Sequence, residues 1–129
     1  MSARLKECIL LGTTSTAGAA TINDTKATFG RLYAVEFVDG DLADGGTSTL
    51  TAQNTASGVA NTLLTLANPL SNADAWFYPR DVVHDLAGGA LTGTSGGDRC
   101  LPVINGVLSL AVSSGGSEKT GGAIVYYYE

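Results

Sequence analysis

Short runs in which apolar and polar residues alternate dominate the sequence, and such alternation predicts β-strands rather than helices. The clearest run is residues 31–39, where Tyr33, Val35 and Phe37 share one strand face and form a predicted core side. Residues 47–53 carry threonine at alternate positions, which predicts a strand with one solvated face. Further predicted strands cover residues 5–12, 75–78, 99–104, 107–112 and 123–128.

Turn residues separate these runs and set the predicted strand count. Asn105 and Gly106 form the strongest hairpin signal and predict a two-residue turn between the two runs that flank them. Residues 59–66 fit either a strand or a short helix, and the turn residues on both sides favour a strand. The sequence therefore predicts an all-β, single-domain β-sandwich of about eight strands. A jelly roll is the favoured version, although counting strands does not separate it from an immunoglobulin-like sandwich.

The first twenty residues differ in character from the rest. Residues 13–20 have small side chains without core formers, which indicates a loop or an arm that lies on another surface. We therefore divide the chain into an N-terminal strand or arm that makes subunit contacts, residues 1–20, and a sandwich domain, residues 21–129. Thr14 and Thr16 are the contact candidates in the arm.

Charge and hydropathy restrict the classes of partner. Charged residues make up only 15% of the chain, and seven Lys and Arg against twelve Asp and Glu leave a net charge of −5. The cations form no cluster, so binding to nucleic acid or to an anionic membrane is not expected. The longest apolar run near the N-terminus, residues 8–11, is too short for a membrane span or a signal-peptide core. We expect synthesis in the cytoplasm, where Cys8 and Cys100 would be buried free thiols rather than a disulfide.

Two clusters could carry chemistry, and neither has the required pattern. Asp39, Asp41 and Asp44 share a glycine-containing loop, but their spacing does not match an EF-hand, so we expect loop hydrogen bonds, with a weak calcium site as the alternative. His84, between Asp81 and Asp85, lacks a nucleophile in a recognisable motif. We expect no catalytic residue, no metal and no cofactor, and therefore no enzyme.

Aromatic residues cluster at residues 76–78 and 126–128. Because alternate residues of a strand point to opposite faces, at least one ring of the Tyr126–Tyr128 run must point inward. The others could form part of the core, a subunit interface or a platform for sugar rings, and we favour the core and the interface.

Residues 74–85 read Asp-Ala-Trp-Phe-Tyr-Pro-Arg-Asp-Val-Val-His-Asp. This segment resembles small structural proteins encoded beside the capsid genes of tailed bacteriophages, in which a Trp-Tyr-Tyr-Pro-Arg stretch precedes His-Asp and a Gly-rich loop. Residues 33–39, 99–104 and 124–129 also look similar to strands of that family. The resemblance covers the chain from about residue 30 onward, and residues 78–80 with 84–85 are its specific motif.

The resemblance implies a head decoration, or cement, protein: a β-sandwich or jelly roll bound to the outer capsid surface of a virion. It would hold contacts between major capsid subunits, as a homodimer at two-folds or a homotrimer at three-folds. The alternative is a carbohydrate-binding or adhesion module on the virion. Arg80 is expected to pair with a capsid carboxylate or, within the chain, with Asp81 or Asp85. The interface candidates are Thr14, Thr16, Trp76, Tyr78, Arg80, Tyr126, Tyr127 and Tyr128.

Overall fold

A computed structural model describes residues 4–43, 46–54, 56–67, 74–82 and 99–129. These residues form β-strands joined by turns and contain no helix, so the all-β prediction is confirmed. The strands are β1 (Leu5–Thr13), β2 (Ala20–Val38), β3 (Thr47–Gln53), β4 (Ala60–Ala67), β5 (Ala75–Phe77), β6 (Asp81–Val82), β7 (Arg99–Cys100), β8 (Val103–Ser113) and β9 (Thr120–Tyr128).

All strand pairs are antiparallel, and the main sheet has the order β1-β9-β2-β8-β3-β4. β5 joins this sheet beside the C-terminal part of β2, and β6 pairs with β7 as a separate two-stranded ribbon. β2 is 19 residues long and changes partners along its length. Its N-terminal part, Ala20 to Arg31, pairs with β8, whereas its C-terminal part, Arg31 to Val38, pairs with β9.

The change of partners at β2 folds the sheet into two packed halves. One half contains β1, β9, the C-terminal part of β2 and β5; the other contains the N-terminal part of β2, β8, β3 and β4. The two halves enclose one core, in which Leu10, Leu32 and Val125 belong to the first half and Leu50 and Leu108 to the second. The sandwich prediction agrees with this packing, and the jelly roll stays a prediction.

Alternation along β3 places its side chains as the sequence predicts. Ser48, Leu50 and Ala52 are buried, while the intervening threonines are half-buried and define the solvated side. Apolar burial at every second residue is the usual driving force for fixing strand register. The strand prediction for residues 59–66 is confirmed as β4.

The predicted hairpin at Asn105 and Gly106 is wrong. β8 runs through both residues as one strand, with Asn105 opposite Phe29 and Gly106 opposite Thr28 of β2. Gly106 allows a close approach of two backbones, because a Cβ atom there would overlap the carbonyl oxygen of Gln53. Its φ of 142° is also unfavourable for other residues. The predicted strands 99–104 and 107–112 are therefore β7 and the single strand β8.

The predicted core face of residues 31–39 is only partly right. Val35 and Phe37 are buried in the core, but Tyr33 is half-buried and lies outside it. The register of β2 against β9 shifts between Leu32 and Ala34, and this irregularity displaces Tyr33 from the alternation. As a result Leu32, which the strict period assigns to the opposite face, is completely buried in the core.

The predicted N-terminal arm contains a strand and a tethered loop. β1 pairs with β9 over nine residues, and its Cys8 and Leu10 side chains join the core. In the following loop, Thr14 donates a hydrogen bond from its hydroxyl to the carbonyl oxygen of Gly116 (2.6 Å) and accepts one from the amide of Lys119 (2.8 Å). The predicted role of residues 1–20 in subunit contacts stays a prediction.

Candidate protein-interaction surface

The outward side of the β1-β9-β2-β5 half carries many apolar and aromatic side chains, with the acidic residues Glu7 and Glu36 among them. On β1 the odd-numbered residues point outward, and the β9 register places Tyr128 opposite Leu5 and Ile124 opposite Ile9. We call this surface the outer apolar face; it consists of Leu5, Ile9, Leu11, Tyr33, Trp76, Tyr78, Ile124, Tyr126 and Tyr128. Five of these residues, Leu5, Ile9, Leu11, Trp76 and Tyr78, are exposed.

The aromatic part of the outer apolar face is ordered by ring contacts. Trp76 and Tyr126 stack with centroids 5.0 Å apart and an interplanar angle of 25°. Tyr33 contacts Tyr128 and Tyr78 edge to face, with centroid distances of 5.6 and 6.0 Å. Such arrangements are the favourable ones for aromatic pairs and give the surface a defined shape.

The strand pairing explains why these rings meet. β5 adds to β2 with Trp76 opposite Glu36, and β9 pairs with β2 from the other side with Tyr126 opposite Ala34. The small side chain of Ala34 leaves room on this face and is fully buried. Trp76 and Tyr126 therefore approach each other across β2 from two neighbouring strands.

A hydrogen bond fixes the polar end of Tyr126. Its hydroxyl donates to Oε1 of Glu36 at 3.1 Å. Desolvation, this hydrogen bond and the negative charges of Glu36 and Glu7 raise the pKa of Tyr126 above its ordinary value. The hydrogen bond favours the neutral phenol and positions the Tyr126 ring.

Among the described residues, Arg80 contacts backbone carbonyl groups and an aromatic ring, and its predicted pairing with a capsid carboxylate stays a prediction. Its Nη1 donates to the backbone carbonyl oxygens of Tyr33 (2.9 Å) and Pro79 (2.7 Å). Its guanidinium carbon lies 5.8 Å from the centroid of the Tyr33 ring, within the range of a cation–π interaction. Arg80 thus joins the segment after β5 to the bulged part of β2 and supports the aromatic cluster; Asp85 lies outside the described residues.

The structure brings together five of the eight predicted interface residues: Trp76, Tyr78, Arg80, Tyr126 and Tyr128. Tyr127 points the other way and packs in the core, which confirms that one ring of this run faces inward. Thr14 is buried in the loop after β1, and Thr16 is exposed in the same loop.

Sequence reasoning missed the aliphatic part of the outer apolar face. Leu5, Ile9 and Leu11 are all exposed, although β1 was predicted only as a strand. A signal was present, because the run is apolar at odd and at even positions alike. A strand that is apolar on both sides has either two covered faces or one exposed apolar face.

The other candidate groups have ordinary structural roles where they are described. Asp41 accepts a hydrogen bond from the amide of Thr120, and the amide of Asp39 donates to Oδ1 of Asp74 at 3.0 Å. Asp44 and His84 lie outside the described residues. Within the described ranges no three His, Cys, Asp or Glu side chains are grouped so that they could hold a metal ion.

The cysteines are thiols, and no disulfide joins them. Cys8 is buried and its Sγ donates to Oδ2 of Asp24 at 3.3 Å, whereas Cys100 is half-buried in β7. Burial, this hydrogen bond and the charge of Asp24 raise the pKa of Cys8 to about 12.

The described part of the chain has no helix that is long and apolar enough to cross a membrane.

Comparison of the chain with protein-family models, with curated proteins and with solved structures finds no match. The outer apolar face is therefore the feature of the described residues that indicates a function.

Proposed function

We propose that the protein is a structural virion protein that binds the outer surface of a bacteriophage capsid and strengthens contacts between major capsid subunits. The observation that carries the proposal is the outer apolar face. Small soluble proteins rarely expose a large and mainly apolar patch unless it binds something. Tyr and Trp are enriched in protein interfaces because they combine a large contact area with a polar end.

The ring geometry favours a protein partner over a sugar. A sugar platform needs aromatic rings whose faces are open and roughly coplanar. Here Trp76 and Tyr126 cover each other by stacking, and Tyr33 meets its neighbours at 68° and 78°. The result is a ridged surface, which suits shape-complementary packing against another protein.

The proposed mechanism is preferential binding to the assembled shell. A protein that binds assembled capsid subunits but not separated ones stabilises the shell through its binding free energy. Many equivalent copies on one shell multiply a modest contribution per copy. The net charge of −5 agrees with a position outside a DNA container rather than against its contents.

Co-sedimentation tests the proposal. The purified protein is mixed with shells of the major capsid protein from the same genome, before and after shell expansion, and shell melting is followed in parallel. We expect saturable binding and a higher melting temperature of the shell. Absence of binding to both forms of the shell would exclude the capsid function.

A pair of variants tests the outer apolar face as the contact. Trp76→Ala should weaken shell binding at least about tenfold, because buried Trp residues dominate interface energetics. Phe29→Ala is the matched control, since Phe29 is an exposed aromatic residue outside this face. Equal binding by Trp76→Ala and wild type would place the contact elsewhere while leaving the capsid function intact.

One observation supports the carbohydrate-binding alternative. Trp76 is 48% exposed, so part of its ring is accessible for stacking on a sugar ring. Binding to a glycan array that Trp76→Ala abolishes, together with no binding to shells, would favour an adhesion module over a decoration protein.

A further inference from the structure

One edge of β1 has no partner strand among the described residues, although its other edge is fully paired with β9. The amide of Glu129 donates to the carbonyl oxygen of Arg4, and the amide of Thr14 donates to the carbonyl oxygen of Lys119. Both bonds fit the β1–β9 register and involve even-numbered residues of the N-terminal segment. Since residues two apart point the same way, the odd-numbered residues direct their N–H and C=O groups to the open edge.

This edge has only part of the protection that is usual for a free strand edge. Edges are commonly shortened, bulged, or guarded by proline or by charged side chains on either face. β1 pairs over nine residues without a register shift and contains no proline. Its outward side chains are Leu5, Glu7, Ile9, Leu11 and Thr13, with one charge among them. Lys6 points to the opposite face and forms an ion pair with Glu129 at 3.1 Å.

An open depression adjoins the edge of β1 on its core side. It has a volume of about 420 Å³ and is lined on this side by Glu7, Cys8 and Ile9 of β1 and by Tyr127 of β9. Its far side is formed by Asp24, Thr25 and Lys26, where β2 departs from regular pairing with β8. The edge is therefore accessible over its central residues.

We propose that the open edge of β1 binds β1 of a second copy of this chain, so that two sheets join into one across a two-fold axis at Ile9. The inference does not rest on the capsid function. Antiparallel pairing with full overlap places odd residues opposite odd residues, which is the arrangement that hydrogen bonding requires. Five pairs with two bonds each give about ten interchain hydrogen bonds. Leu5 with Thr13 and Glu7 with Leu11 each occur twice, and Ile9 with Ile9 of the second copy occurs once on the axis.

The same register explains why a second copy fits better than an arbitrary strand. Glu7 lies opposite Leu11 of the second copy rather than opposite its own equivalent, so the like charges do not meet. The outward Leu5, Ile9 and Leu11 side chains of both copies come together on one surface. An isologous contact of this kind closes after two subunits and leaves no further β1 edge for polymerisation.

Among the described strands, the unpaired edges of β5 and β4 are less suited to pairing with another strand. β5 has only three residues and is followed by Pro79 within two positions. The β3–β4 ladder shifts register between Leu50 and Thr51, which interrupts the regular edge of β4.

Sedimentation velocity over a range of protein concentrations tests the dimer. We expect the wild type to be dimeric, and Ile9→Lys to weaken dimerisation at least about tenfold, because it places two ammonium groups opposite each other. Val59→Lys is the matched control, since Val59 is as exposed as Ile9 and precedes β4. A monomeric wild type at all concentrations, or a monomer produced by Val59→Lys and not by Ile9→Lys, would overturn the proposal.

Crosslinking tests the register in the same molecule. In a background with Cys8→Ala and Cys100→Ser, Ile9→Cys should form a disulfide-linked dimer under mild oxidation, because paired residues lie within disulfide distance. Leu5→Cys, at an equally exposed position, should not, since it faces Thr13 of the second copy. Circular dichroism establishes that each variant is folded. Equal crosslinking of both variants would contradict the two-fold axis at Ile9.

Discussion

At the scale of single residues, Cys8 shows how burial changes the chemistry of a side chain. Its thiol lies in the core and donates to a carboxylate, and its pKa is raised from 9.0 to about 12. The thiolate is the reactive form of cysteine, so this residue is inert at neutral pH. Cys8 therefore acts as a small core side chain beneath β1 rather than as a reactive thiol.

The raised pKa predicts a pH dependence of stability. Below pH 9 the thiol is protonated in both the folded and unfolded states, so Cys8 contributes no pH dependence. Between pH 9 and 12 the unfolded chain releases the proton while the folded protein retains it, so stability falls as pH rises. The greatest contribution to the slope is about 1.4 kcal/mol per pH unit.

Urea unfolding on both sides of pH 9 measures this dependence. Cys8→Ala should have a shallower decline above that pH than the wild type, and Cys100→Ser serves as the control for loss of a thiol. An identical decline in Cys8→Ala and in the wild type would show that other groups cause it.

At the scale of secondary-structure elements, glycine marks where two strands approach too closely for a side chain. Gly106 allows the end of β3 to lie against β8, and Gln53 is the residue it contacts. The predicted hairpin failed for this reason: glycine in a turn and glycine in a tight strand contact look alike in a sequence.

Gly106→Ala should therefore destabilise the protein by about 2–4 kcal/mol, through steric overlap and an unfavourable φ together. Gly58→Ala separates the two effects, because Gly58 also has a positive φ of 72° but no other group within 4 Å of its Cβ position. We expect a loss of about 1 kcal/mol for this control. Equal losses in urea unfolding of the two variants would leave no role for the contact with Gln53.

The sequence predicts an element well where the interactions that fix its side-chain burial lie within the element itself. Alternation identified β3 and the core positions Val35 and Phe37, because burial of one strand face is a local pattern. It misplaced Leu32 and Tyr33, since the register shift in β2 is set by its pairing with β9, a strand about 90 residues away along the chain. For the candidate surface, aromatic residues were found from composition and alternation, whereas Leu5, Ile9 and Leu11 could not be assigned to an exposed side without the register of β1.

At the scale of the whole molecule, the two halves of the sandwich share one core. Leu108 in β8 is completely buried in the same cluster as Val35, which lies opposite Phe77 of β5. Since β2 belongs to both halves, loss of packing in one half should affect the other. The protein is expected to unfold in a single cooperative transition.

Trp76 fluorescence can test whether unfolding is cooperative, because Trp76 is the only tryptophan in the sequence and lies in the half opposite Leu108. Leu108→Ala should lower stability by about 2–5 kcal/mol, as for other buried leucines. Trp fluorescence and far-ultraviolet circular dichroism should report the same shifted midpoint. A fluorescence midpoint unchanged from wild type, with an altered dichroism midpoint, would show that the two halves unfold separately.

The position of β9 also has a consequence for synthesis on the ribosome. This strand lies between β1 and β2 in the sheet, yet it follows both in the chain by 80 residues or more. Until β9 has been translated, β1 has no partner strand and β2 lacks one of its neighbours. Such non-local pairing slows folding and leaves nascent strand edges open to aggregation. Emergence of β9 from the ribosome, rather than early collapse, therefore sets the earliest time at which this half of the sandwich can form.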